Sequence, residues 1–186
     1  MRNKMNRLLL LSLIASIISV IPKPQPAFAT LEVKETQLIS SYLEENFKSI
    51  KEIYRYANEM KKQALPFNSK KHRDRYRFEP KDTYARNIMS KTRSMVSRYR
   101  IVSGILCISA VQNRNLIYKE TMESLDSIVV YSKRAIRAVK DNNYALYLAS
   151  AEGIEKEAVN LNNLLDELEE NINETIDEED SRKESL

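Results

Sequence analysis

Apolar side chains return every three or four residues along most of this chain, the period of an amphipathic helix. The first run carries Leu38, Tyr42, Phe47, Ile50, Ile53, Tyr54, Ala57 and Met60, and it predicts a helix over residues 35–64 that Pro66 ends. A second run starts after Pro80, where Asp82 or Thr83 can accept an orphan N–H of the first turn. It continues through Tyr84, Ile88, Thr92, Met95, Tyr99, Val102 and Leu106. Between Cys107 and Asn115 the pattern loses phase, and the Gln-Asn-Arg-Asn of residues 112–115 predicts a turn. A third helix then carries Tyr118, Met122, Leu125, Ile128, Ser132, Ala135, Ile136 and Val139. Asn142 or Asn143 can close it in the left-handed conformation. The fourth, over residues 144–172, runs through Leu148, Ala151, Ile154, Ala158, Leu161, Leu165 and Leu168. Residues 173–186 are polar and acidic and are expected to be disordered.

Breakers are scarce. Beyond residue 30 there are only Gly104, Gly153, Pro66 and Pro80, which favours long helices over a sandwich or barrel. The expected fold is therefore all-α, an up-down-up-down four-helix bundle over residues 30–172. A chain of this length can fill one core. The long link, residues 65–81, holds Lys70, Lys71, Arg73, Arg75 and Arg77 with the single histidine, His72, and should be exposed.

The first 29 residues change the reading of charge. Arg2, Lys4 and Arg7 precede an apolar run over residues 8–21, three prolines follow, and Ala27-Phe28-Ala29 offers small residues where a signal peptidase cuts. The expectation is a cleaved export signal over residues 1–29, with an uncleaved anchor as the alternative. The formal charge of +4 includes Arg2, Lys4, Arg7 and Lys23; without them 26 basic residues face 26 acidic ones. What remains is asymmetry. Residues 51–114 hold 16 Lys and Arg against 5 Asp and Glu, whereas residues 166–186 hold 10 acidic residues against Arg182 and Lys183. One end of the molecule should be positive and the other negative.

Catalytic chemistry finds little footing in these residues. One histidine supports no His-metal cluster, nothing in the pattern pairs a Ser or Tyr with a base, and one cysteine, Cys107, permits no internal disulfide. No Gly-rich phosphate loop or Cys-x-x-Cys pair occurs. The acidic residues near the C-terminus read as a solvated helix face, and Tyr54, Tyr99, Tyr131 and Tyr147 as core. No catalytic, cofactor-binding or metal-binding residue is expected. Nucleic acid would suit basic residues interleaved with Tyr76 and Phe78, but an exported chain seldom meets it. An acidic protein surface or anionic lipid heads fit the compartment better.

Three stretches carry a family resemblance: Arg-Asn-Ile-Met-Ser-Lys-Thr-Arg-Ser-Met-Val-Ser-Arg-Tyr-Arg at residues 86–100, the amphipathic segment at 120–141 with its Lys-Asp end, and the Leu-rich segment at 142–168. They resemble the second, third and last helices of the PsbQ family, the extrinsic four-helix-bundle subunits on the lumenal side of photosystem II. The chain departs from that family in lacking its tryptophan, its Gly-Pro-Leu and a lipid-accepting cysteine. The resemblance implies a non-catalytic subunit in the thylakoid lumen, peripheral to the thylakoid membrane. It would contact the photosystem II core and other extrinsic subunits and stabilise the oxygen-evolving centre, with no cofactor and no small-molecule substrate. The Ser-Arg-Tyr-Arg of residues 97–100 and the Thr121-Met122 pair are also similar to the lumenal photosystem II assembly factor. A generic exported helical adaptor is the other alternative. By charge alone, the contact surface is expected at Lys70, Lys71, Arg73, Arg75, Arg77, Arg86, Arg93, Arg98 and Arg100.

Overall fold

The structure, a computed structural model, describes residues 33–105 and 112–184, with side chains over 37–104 and 116–170. The signal over residues 1–29, Leu106 and Cys107 lie outside the described residues. All regular structure described is helical: α1 (Val33–Ala64), a 3-10 turn (Leu65–Asn68), the single turn α2 (Lys70–Arg73), α3 (Thr83–Ile105), α4 (Gln112–Lys140) and α5 (Tyr144–Glu184).

Each long helix packs on two others, α1 on α3 and α5, and α4 on α3 and α5. The pairings run in opposed directions. Lys91 pairs with Glu52 and Arg98 reaches Asn46, so rising numbers in α3 meet falling numbers in α1. Gln63 meets Tyr147 and Lys61 meets Glu155 across α1 and α5. Tyr131 lies on Gly153, and Asn160 donates to Ser124 Oγ, across α4 and α5. Ile53, Ile88, Ile128 and Ile154, one from each long helix, are wholly buried. Removal of such side chains from water is the main stabilising force, at ~25 cal/mol per Å² of apolar surface.

The inward stripe of α1 is turned from the expected one. Ile39, Leu43, Ile50, Ile53, Ala57, Met60 and Ala64 are buried, whereas Leu38 and Tyr54 are each 40% exposed. Asn46 and Ser49 occupy buried positions in that stripe. Polar residues on the inward face hid its phase, and the apolar Leu38 and Tyr54 beside it suggested another. Tyr99 and Tyr147 are core as expected, but Tyr54 is exposed and Tyr131 only half-buried.

Two ends differ from expectation. Residues 112–115 open α4 and form no turn. Their asparagines sit in the first turn, where backbone N–H groups lack intrahelical partners and Asn costs little. At the other end α5 continues past residue 172 to Glu184, so the segment expected to be disordered is helical there. No glycine or proline follows Gly153, and Glu178 and Glu179 precede Arg182 and Lys183 by four residues, a spacing that favours helix.

Candidate functional site: a basic end braced by aromatic rings

The link between α1 and α3 is built, not slack. Pro66 stops α1 and starts the 3-10 turn, which places Phe67 inward. Phe78 is buried from the far side of the link, with its ring 5.0 Å from that of Phe67 and 5.6 Å from that of Tyr147. Both contacts are edge-on, the arrangement that aromatic quadrupoles favour. Tyr147, at the start of α5, donates its hydroxyl toward Gln63 Oε1 at 3.3 Å and the carbonyl of Lys81 at 3.2 Å. Burial raises the Tyr147 phenol well above its ordinary range. The ends of α1, the link and α5 are thereby tied together.

The nine cations expected to face a partner separate into three groups. Lys70, Lys71, Arg75 and Arg77 are exposed on the link. Lys71 and Arg75 line an open pocket of about 350 Å³ with Pro66, Ser69, His72 and Tyr76. His72 packs edge-on against Phe67 at 4.7 Å and lies 4.6 Å from the ring of Tyr76. Arg77 meets Glu79 only at 3.9 Å, with both side chains about three-quarters exposed. These four charges are held at the surface by a backbone that the buried rings fix.

Arg73 is also exposed, but its guanidinium is tied to the link itself. Its Nη1 donates to the carbonyls of Phe67 and Asn68 at 2.7 and 2.9 Å and reaches the Tyr144 hydroxyl at 3.1 Å. The guanidinium also lies over the Tyr144 ring, 5.5 Å from its centroid. It acts as the clasp of the link.

Arg98 is drawn inward instead of facing outward. Its side chain is only 16% exposed, and it donates to Asn46 Oδ1, Ser49 Oγ and Ser94 Oγ at 2.8–2.9 Å while lying 3.3 Å from Glu45. That pattern bolts α3 to α1. Charge counting could not separate it from its neighbours; the signal lay in Asn46 and Ser49, polar residues on an otherwise apolar stripe.

Arg86, Arg93 and Arg100 form the third group, exposed along the outside of α3. Arg86 Nε donates to Asp82 Oδ2 at 2.7 Å, so the carboxylate expected to cap α3 instead ties its first turn by a side-chain pair. Arg93 and Arg100 have no acidic partner among the described residues.

No group of three or more His, Cys, Asp and Glu among the described residues could hold a metal ion, and no described helix is long and apolar enough to cross a membrane. No protein-family model matches the sequence, and no curated protein or solved structure is significantly similar to it.

Proposed function

We propose that this chain is a non-catalytic, exported helical subunit whose basic end docks on an acidic protein surface. Its place of action, on this reading, is the lumenal side of photosystem II, peripheral to the thylakoid membrane. There it stabilises the oxygen-evolving centre by contact with the core and other extrinsic subunits and holds no cofactor itself. The bundle is taken as up-down-up-down, which the opposed registers of α1 with α3, α1 with α5 and α4 with α5 support.

One observation carries the docking claim. Lys70, Lys71, Arg75 and Arg77 are exposed on a segment whose backbone is pinned by Phe67, Phe78 and Arg73. Charges fixed before contact lose less conformational freedom on binding. Arginine forks meet carboxylates bidentately, which suits an acidic protein face better than point-charge attraction to a membrane. The lumenal setting rests on the resemblance of residues 86–100, 120–141 and 142–168 to the PsbQ helices.

The test is rebinding of purified protein to salt-stripped photosystem II membranes. Wild type is expected to rebind at low salt, and K70E/K71E/R75E/R77E to rebind at least about tenfold more weakly, because reversed charges repel the same surface. Equal rebinding by the two proteins would defeat the docking claim. Equal binding of wild type to anionic vesicles free of protein would instead favour a membrane adaptor.

A further inference from the structure

The outer face of α3 carries a regular pattern that docking through the basic end does not use. Arg86, Arg93 and Arg100 recur every seven residues, Ser90 and Ser97 fall between them, and all five are exposed. The helix has no acidic residue. Its two other cations, Lys91 and Arg98, are taken by Glu52 and Glu45 of α1. Seven helical residues advance ~10.5 Å and return to nearly the same face, so the three arginines make a row ~21 Å long. The serines between them leave the track shallow enough for another helix to approach.

Such a row fits carboxylates set at the same interval. The C-terminal part of α5 supplies them: Glu170, Asp177 and Glu184 also recur every seven residues. They lie in a segment with 10 acidic residues against Arg182 and Lys183. Within one molecule the two helices cannot meet this way. Among the described residues α5 is one unbroken helix packed on α1 and α4, and α3 packs on those same two helices with its arginine row facing away from them.

We propose that the α3 arginine row of one molecule receives the acidic C-terminal part of α5 from a second copy. The contact is electrostatic, so self-association is strong at low ionic strength and fades as salt screens it. The Arg86–Asp82 pair is exposed and can exchange for the incoming carboxylate. This association stands independently of what the basic end docks on.

Sedimentation of the purified protein at about 20 mM and about 500 mM salt tests it, since screening shortens from ~20 Å to ~4 Å across that range. Concentration-dependent association is expected at the lower salt and its loss at the higher. R93E/R100E should weaken association at least about tenfold, and adding E170R/D177R to the same chain should restore it by reversing the Arg93–Asp177 and Arg100–Glu170 pairs of an antiparallel contact, with Arg86–Glu184 left as it is. K71E/R75E, on the link, should leave it unchanged, and circular dichroism should show native helix content in each variant. A monomer at low salt, association indifferent to salt or to R93E/R100E, sensitivity to K71E/R75E, or failure of the four-residue reversal to restore association in a folded variant would each overturn the proposal.

Discussion

At the residue scale, Arg98 and Arg93 separate structural from surface charge within one helix. Arg98→Ala removes the partner of buried Asn46 and the ties to Ser49 and Glu45, so it should cost about 2–3 kcal/mol in chemical denaturation. Arg93→Ala should fall within about 0.5 kcal/mol of wild type. Equal costs would mean that Arg98 is not the bolt described. Tyr99 poses the opposite case: its buried hydroxyl and that of Thr121 lie near each other without closing a hydrogen bond of normal geometry. Tyr99→Phe should therefore be neutral or stabilise by up to about 1 kcal/mol. Burial pushes the Tyr99 phenol up to about 12, so the neutral form favours the fold. That contribution is complete below pH ~10 and is lost as pH rises from there toward the folded value. Thermal unfolding should show stability falling above pH ~10, less steeply in Tyr99→Phe. The burial of Tyr99 was legible from sequence, but the division between Arg98 and Arg93 was not, because the two look alike until Asn46 and Ser49 are placed opposite one of them.

At the scale of elements, the link between α4 and α5 shows two neighbouring asparagines with different tasks. Asn142 takes φ of 52°, while the N–H of Asn143 returns to the carbonyl of Ala138 at 2.8 Å, closing α4. Asn143 Oδ1 then accepts the N–H of Leu146, capping α5. Asn142→Gly should thus be neutral or slightly stabilising, and Asn143→Ala should cost about 1 kcal/mol; urea midpoints would rank them. The reverse ranking would contradict the assignment. Gly153 marks a second close fit, since a Cβ there would lie 2.8 Å from the Tyr131 ring. Gly153→Ala gains up to about 1 kcal/mol of helix propensity but must displace that ring, and a net loss of about 1 kcal/mol is expected. Tyr131→Ala in the same chain should recover the propensity gain. The helices themselves were readable from three-and-four spacing and the scarcity of glycine and proline. Their faces and ends were less so, as Tyr54 outside the core, the helical residues 112–115 and the run of α5 to Glu184 show.

Across the whole molecule the separation of charge decides behaviour. The link bearing Lys70, Lys71, Arg75 and Arg77 sits where α1 gives way to α3, beside the start of α5, while the acidic segment lies toward the far end of that helix. A count of charge along the chain foresaw the basic link and the acidic part of α5, but the exposed arginines of α3 run away from the link and are not gathered at one end. It did not foresee the bracing of the basic end, because Phe67 and Phe78 read as ordinary link residues until Tyr144 and Tyr147 close on them from α5. Such bracing turns a charged loop into a surface of fixed shape, the property that a docking subunit needs. The most direct test is fractionation of photosynthetic membranes from the source organism, following this protein before and after a high-salt wash. Co-migration with photosystem II at low salt, with release into the wash, is the result this account predicts. Absence from the complex at low salt would contradict it.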